Sequence, residues 1–515
     1  MQNFRFIIAS VMVTATVSAS AQSLSGAYNL SNLTVEGTAR SIGFGGALGS
    51  VGGDFSSISV NPAGLGVYRS SELTFTPSLK LNASSSDYLG TTTADNMAHV
   101  TINNFGLVFT NAPRGKRYDR RNWKSVSFAL GVNRVADFNR TYTYSGNNTT
   151  SSATQAMESN ANRDTLDAGS NYNTGTLGNI GYQSYLLNAT GNHYESVVPF
   201  KGGINQMNSV QEYGGINECL IALGGNYKEK LLLGVSVGIP VINYQRNSAY
   251  SETVLPTNTQ NTADFQTFTY NNYSSVSGAG VNVKLGAIYK ITDYIRVGAA
   301  FHTPTYYGLT ETTDYGIHST VGGASYDLST DNGDFPTNNF TYSFVSPMKA
   351  VLSATFIMKN IGFITADYEY VNYSTMRYVY PGGYDDISGT SFQAEQTAMN
   401  DSIKSNYGSA SNFRIGAEVK LTKYFMVRGG FGYYGNPLTA ADMSSERIDF
   451  SGGLGFRGKH FFADFAVRNS MYKMTEQPYN QIDFNYVTSG PKVALPVATV
   501  NYNLTNVALT VGIKF

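Results

Sequence analysis

Cysteine is almost missing from this chain: Cys219 stands alone among 515 residues. A single thiol makes no intramolecular disulfide and no cysteine-based metal site. Charge is scarce as well, at 14%, where ordinary soluble domains carry about 25%. What charge there is cancels, 35 Lys and Arg against 35 Asp and Glu, which argues against nucleic acid as the main partner. Beyond the N-terminus no run approaches the ~18 consecutive apolar residues of a spanning helix. The five histidines, His99, His193, His302, His318 and His460, show no zinc-ligand spacing. No metal or other cofactor is expected.

Glycine and tyrosine are plentiful, with 53 and 37 residues. Low charge, much Gly and Tyr and no long apolar run together fit a transmembrane β-barrel, where apolar and polar residues alternate. The N-terminus reads as a secretory signal over residues 1–21. Arg5 supplies the positive charge, Phe6 to Ala19 the apolar stretch, and Ala19-Ser20-Ala21 the small-residue cleavage site before Gln22. The expected destination is the bacterial outer membrane.

From residue 71 to 515 the chain reads as strands of period two. In the last, Val507, Leu509, Val511, Ile513 and Phe515 share one face, and Ala508, Thr510, Gly512 and Lys514 the other. Fourteen such segments are expected. They begin near Glu72, Asn104, Lys124, Glu218, Leu231, Gly280, Tyr294, Lys349, Ile361, Asn412, Phe425, Arg447, Phe461 and Asn506. Each is about ten residues, the length a tilted strand needs to cross the hydrocarbon layer. The fold class is therefore all-β, a transmembrane antiparallel barrel. Connections sort by parity, as in bacterial barrels. Short turns follow the even strands, except the basic stretch Pro113 to Asn122. Long polar stretches follow the odd ones, among them 83–101, 135–217, 243–278, 303–346 and 372–411. Trp123 and part of the Tyr complement suit interfacial girdles.

Residues 22–70 precede the strands and read as a hatch that plugs the lumen. Ala39 to Gly66 is rich in Gly and Ser, with Gly45 and Gly46 paired and Asn61-Pro62-Ala63 as one local bend. Two motif matches fail by context. Gly234-Val-Ser236-Val-Gly238 and Gly453-x-Gly455-x-x-Gly458 both lie inside strands, without the helix that a nucleophile elbow or a dinucleotide loop requires. No enzymatic activity is expected. Inward faces carry charges, among them Arg296, Arg414, Arg428 and Arg468. The plainer reading is an ion-pair lattice that fills the lumen. The sharper one has an Arg receive a substrate carboxylate through its bidentate fork. In strand three alternation stops after Val132, and Asn133, Arg134, Asp137 and Phe138 follow. That is either the strand's exit into its loop or a kink that opens the wall sideways.

These features resemble the FadL-type outer-membrane transporters of long-chain fatty acids and aromatic hydrocarbons. The likeness is strongest over Ala39 to Leu65, and it extends to Asp367-Tyr-Glu-Tyr-Val-Asn-Tyr373 and the terminal Phe515. It implies passive uptake: outer loops capture a hydrophobic ligand, the hatch moves, and the ligand leaves into the membrane lipid through a gap at a kinked third strand. It puts Asn61, Pro62 and Ala63 in the hatch and Asn133 to Phe138 near the kink. The implied partners are a hydrophobic small molecule, outer-membrane lipid and the assembly machinery that reads Phe515. Some relatives of this architecture serve protein secretion or surface attachment, and that is the alternative reading.

Overall fold

The computed structural model describes residues 23–113, 115–168, 177–383, 391–440, 445–479, 482–490 and 492–515. The expected signal segment lies outside them. Fourteen strands close into one antiparallel barrel. They are β1 (Glu72–Tyr88), β2 (Thr91–Asn111), β3 in two pieces (Trp123–Asp137 and Arg140–Asn148), β4 (Ile204–Tyr227), β5 (Leu231–Val254) and β6 (Phe265–Lys290). Then come β7 (Ile295–His302 and Tyr306–Val321), β8 (Asn338–Val345 and Lys349–Met358), β9 (Gly362–Asn372) and β10 (Ser409–Lys420). The last are β11 (Phe425–Tyr434), β12 (Arg447–Arg457), β13 (Phe461–Glu476) and β14 (Ala498–Lys514). β14 returns to β1, in register from Glu72↔Lys514 to Asp87↔Thr499. Ser71 and Phe515 exchange two backbone hydrogen bonds of 3.1 Å at the seam. Closure leaves no sheet edge at this seam, which a lipid environment requires.

The burial pattern is inverted relative to a soluble protein. Phe75, Leu79, Leu81, Leu509, Val511 and Ile513 are exposed, while Thr76, Ser78, Lys80, Asn506 and Thr510 are buried. The apolar faces point outward, as a lipid-facing wall demands.

The strands are far longer than ten residues. β4 and β5 have 24 residues and β6 has 26. At ~3.3 Å per residue such strands run ~80 Å, well past a hydrocarbon layer of ~30 Å. Most of 243–278 and 303–346, expected as loops, is therefore strand, and so are the two ends of 135–217, at 140–148 and 204–217. The stretch 83–101 is no loop at all: β1 and β2 meet at Leu89-Gly90, with φ of 48° and 81°, the left-handed pair that a two-residue hairpin needs. In these extensions water lies outside the wall, so Ser, Thr, Asn and Tyr serve on both faces. The alternation fades while strand formation persists.

Helices lie within the lumen and at both ends of the barrel. α1 (Leu24–Ser31), α2 (Ala39–Gly43) and α3 (Ser57–Val60) belong to the N-terminal segment. α4 (Lys116–Arg120) lies in the turn between β2 and β3. α5 (Thr154–Ala168) and α6 (Leu177–Gln183) form a cap at the loop end, and α7 (Phe392–Asn406) fills much of the stretch after β9. In the cap, Met157, Ile180, Leu186 and Phe200 pack on Tyr250, Phe265 and Phe268 of the extended wall. Glu158 fastens the last loop, accepting from the Thr488 and Ser489 amides and the Thr488 hydroxyl.

Glu252 sits beneath the cap, well above the lipid belt. It is fully buried and accepts bonds from Ala153 N at 2.8 Å, Gln206 Nε2 at 2.9 Å, Tyr250 Oη at 2.7 Å and the Ser152 hydroxyl. Burial pushes its carboxyl above the ordinary value, and these four bonds only partly offset it. A raised folded-state pKa adds stability that is complete below the ordinary carboxylate value and is lost as pH rises through the raised one. Limited proteolysis of the cap should therefore quicken as pH rises through that range. Glu252→Gln should flatten the dependence and slow cleavage several-fold at neutral pH.

Candidate functional site: the hatch, the cavity above it and a break in the wall

The N-terminal segment from Ser23 to Tyr68 lies inside the barrel. Asn61 is fully buried. Its Nδ2 donates to Gly49 O at 2.6 Å and to the wall carbonyls of Ala287 at 3.3 Å and Ala299 at 3.4 Å. Its Oδ1 accepts from Ala63 N at 3.1 Å, capping the 3-10 turn Pro62–Val67 that starts on Pro62. Pro62 lies directly on Gly234 of β5, where a side chain would collide with it. Ala63 packs on Leu232 and Ile288. Gly45, at φ 74°, approaches the backbone of β10 and β11, so that a Cβ would stand 3.1 Å from Ile415 O and Phe431 N. Gly46, at φ 72°, faces only Arg414 Cδ at 3.9 Å.

Polar bonds hold much of the hatch to the wall. Asp367 accepts from Gly49 N at 3.0 Å, Ser50 and Thr355 share a 2.7 Å hydroxyl contact, and Thr510 Oγ1 accepts from Ala39 N at 2.7 Å. Arg40 pairs with Glu418 at 3.0 Å, and Arg468 with Glu36 at 2.8 Å. A neutral bond of this kind is worth about 1 kcal/mol net, and one to a charged group about 1.5–3 kcal/mol.

Above the hatch, α1 inserts into an apolar cluster at the loop side. Ser23 caps it by accepting from Gly26 N at 2.9 Å. Ala27 and Leu30 are buried among Val371, Tyr373, Tyr378 and Tyr407. The Tyr28 ring lies 5.4 Å from that of Tyr373 and 5.9 Å from that of Tyr407. Leu24, Ala27, Tyr28 and Leu30 follow helical spacing, a signal present in the sequence but only eight residues long. Deleting Leu24–Ser31 should empty this cluster. Fully burying a side chain such as Leu30 contributes about 1.5–3 kcal/mol, so an apolar probe that competes with α1 should bind at least tenfold tighter to the deletion variant, as read by fluorescence titration.

Between α1 and the hatch body lies a cavity of about 70 Å³, lined by Val60, Glu218, Lys284, His302, Lys349 and Arg414 among others. Drug-sized ligands occupy pockets of about 300–1,000 Å³, so the cavity must widen to admit one. Of the four arginines expected in the lumen, Arg414 and Arg468 line it. Arg414 pairs with Glu369 at 3.2 Å, and Arg468 with Glu36. Arg428 is elsewhere, clasped by Glu418 at 2.8 Å and Asp464 at 2.7 Å. Arg296 donates to Val51 O at 3.2 Å under the hatch. The structure adds Lys349, which sequence reasoning passed over. Its ammonium donates to Leu33 O at 3.3 Å and has no carboxylate within 4.0 Å among the described residues.

The wall breaks at β3. The β2–β3 ladder runs from Asn111↔Val126 to Asn104↔Asn133 and ends there. Against β4 the register slips at Val135, between Arg134↔Asn217 and Ala136↔Ile216. The second piece of β3 stays on β4 alone. Side chains, not β2 backbone, satisfy its free edge. Asp95 accepts from Thr143 N at 2.6 Å, Ser84 donates to Thr141 O at 2.8 Å, and Asn82 donates to Asn139 O at 3.3 Å. β2 slips at the same level, opposite Pro77, which has no N–H to offer.

The hatch reaches this break directly. Thr34 N donates to Val135 O at 2.8 Å and Glu36 N to Arg134 O at 2.9 Å, where β2 would otherwise have continued. Asp137 accepts from Arg134 Nε at 2.9 Å, Lys80 at 3.2 Å and Asn139 N at 3.1 Å, and His99 lies 3.1 Å away. Lys80 also reaches Glu36 at 3.2 Å, which joins kink and hatch in one ion cluster. Asn133 accepts from Asn104 Nδ2 at 2.8 Å and donates to Ser59 of the hatch at 2.9 Å. The Phe138 ring meets Tyr244 edge-on at 5.2 Å. Thus Asn133, Arg134, Asp137 and Phe138 all surround the break. Glu36, Lys80, Asp95 and His99 were missed, because their pairings join distant parts of the chain.

No protein-family model and no curated protein matches the sequence. Solved structures do. A FadL homologue from Pseudomonas aeruginosa aligns over 94% of this chain and 98% of its own, at 13% identity and a TM-score of 0.54. The Ralstonia pickettii toluene transporter TbuX aligns over 93% and 98%, at 15% identity and 0.48. The Pseudomonas putida toluene transporter TodX aligns over 94% and 100%, at 14% and 0.49. On the first of these, the chain has the fold of the FadL-type barrels: fourteen closed strands around an N-terminal segment.

Proposed function

We propose that this protein is an outer-membrane transporter that admits hydrophobic small molecules passively and releases them sideways through the β2–β3 break. One observation carries this reading. The wall ladder stops at Asn104↔Asn133, and the segment that covers the kink, Thr34 to Glu36, belongs to the hatch. A hatch that moves therefore uncovers the break. The physics favours such a route, since an acyl chain loses about 0.8 kcal/mol for every methylene passed from an apolar site into water. The fold neighbours that are described as toluene transporters fit the same substrate class.

The cavity favours a ligand with an acidic head. Lys349 is the cation there whose only hydrogen bond among the described residues goes to a backbone carbonyl of the hatch. A hydrogen bond to a charged group contributes about 1.5–3 kcal/mol. Lys349→Met should thus weaken binding of a long-chain carboxylate at least tenfold and leave a neutral aromatic hydrocarbon within twofold, measured by titration of the purified barrel. The reading as a whole is tested by native mass spectrometry of protein taken from its own membrane in mild detergent. A defined acyl or aromatic ligand supports it. A barrel carrying only detergent and bulk phospholipid overturns it in favour of the secretion-associated reading.

A further inference from the structure

The overall charge is zero, yet it is segregated between the two ends of the barrel. The loop end is acidic, with Asp264, Asp327, Asp331, Asp334, Glu395 and Asp401 in its connections. The turn end is basic: Lys228, Lys230, Lys359, Lys423 and Lys459 occupy its short turns. The densest sector is the connection from β2 to β3, the one turn at this end that is not short. Its sequence, Pro113-Arg-Gly-Lys-Arg-Tyr-Asp-Arg-Arg-Asn-Trp-Lys124, contains a single acid, Asp119. Lys116, Arg117, Arg120 and Arg121 are all exposed, and none forms an ion pair among the described residues. Glu229 on the neighbouring turn is already taken by Arg69 at 3.2 Å and Lys290 at 3.7 Å.

Depth comes from the aromatic residues. Trp123 is 45% exposed and meets Tyr227 at 5.5 Å. Tyr294, Tyr424, Phe461 and Phe515 are exposed around the same end. Such a girdle marks the membrane–water interface, so the cations beside it stand at headgroup level. Lys423 lies 4.8 Å over the Tyr424 ring and Lys228 5.4 Å over Tyr227, stems along the apolar belt and charges at its rim. Between Arg69 and the basic turn there is also an open cleft of about 400 Å³, lined by Pro113, Gly115, Tyr118 and Asp119.

We infer that Lys116, Arg117, Arg120 and Arg121 of this turn bind the headgroups of acidic phospholipids in the leaflet at the turn end of the barrel. The cations recur on turns around the barrel instead of forming one isolated patch, which suits an annulus of lipid better than a single protein partner. In an outer membrane this is the inner, phospholipid leaflet. The inference needs only the barrel's place in a bilayer and is independent of what it transports.

The test is native mass spectrometry of the full-length barrel in mild detergent with equal phosphatidylglycerol and phosphatidylcholine of matched chains. Wild type should retain phosphatidylglycerol at least tenfold over phosphatidylcholine. The variant K116Q/R117Q/R120Q/R121Q, checked for a folded barrel by heat-dependent gel mobility, should fall below threefold. Should that variant not fold, wild type read at rising ionic strength decides, because exposed charge contacts are screened within about 10 Å at 0.1 M salt. Preference should then collapse. Equal retention of both lipids by wild type, or an undiminished preference in the variant or at high salt, would overturn the inference and leave the basic turn to an acidic protein partner.

Discussion

Oxidation of a Ser50→Cys/Thr355→Cys pair is expected to arrest uptake at least tenfold, and a reductant to restore it. The two hydroxyl oxygens stand 2.7 Å apart, one on the hatch and the other on β8, close enough for sulfurs that bond at about 2.05 Å. The experiment uses a Cys219→Ser background, which removes the sole native thiol. The size of the effect follows from how the hatch is held. Its contacts to Asp367, Thr355, Thr510 and His302 are individual hydrogen bonds, about 1 kcal/mol net for a neutral pair and about 1.5–3 kcal/mol for the one to the Asp367 carboxylate. A ligand that buries several methylenes gains about 0.8 kcal/mol for each and can offset the loss of several such bonds. It cannot break a disulfide. Full uptake by the oxidised protein, with either single-cysteine variant as control, would mean that the hatch does not move during transport.

How much of this was legible depends on what surrounds each residue. Where the wall touches lipid, every second side chain must be apolar, so strands such as 413–421 and 507–515 could be read directly. Above the lipid the outer face meets water, the selection lapses, and β4 to β6 continue unseen for ten residues or more. Asn61-Pro62-Ala63 was readable because its chemistry is local: Asn61 caps the turn that Pro62 starts. The kink was half readable. Alternation visibly ends after Val132, and Asn133, Arg134, Asp137 and Phe138 do surround the break. The residue that makes the bulge, Val135, is an apolar strand former and leaves no mark. Nor could sequence show that Glu36, Lys80, Asp137 and Arg468 meet, since pairing across a closed barrel has no sequence period. Lys349 looks like any lysine at the start of a strand. Its position, facing Leu33 of the hatch, exists only once β8 is placed.

The second large effect concerns the wall. Val135 is the extra residue of β3, and a bulge of one residue bends a strand and ends its pairing. Deleting Val135 should let β3 continue along β2 beyond Asn133, closing the break while the barrel remains folded. The deletion also removes the carbonyl that accepts Thr34 N. Thr34→Pro removes the same bond without touching the wall, and it should leave uptake within about threefold. The decisive measurement is uptake of a labelled long-chain carboxylate and a labelled aromatic hydrocarbon by cells lacking their own carriers. Wild type, Thr34→Pro and the Val135 deletion are compared at equal surface expression. The account predicts at least a tenfold loss for the deletion alone. Uptake by the deletion variant equal to wild type would contradict it and place the exit somewhere other than the β2–β3 break.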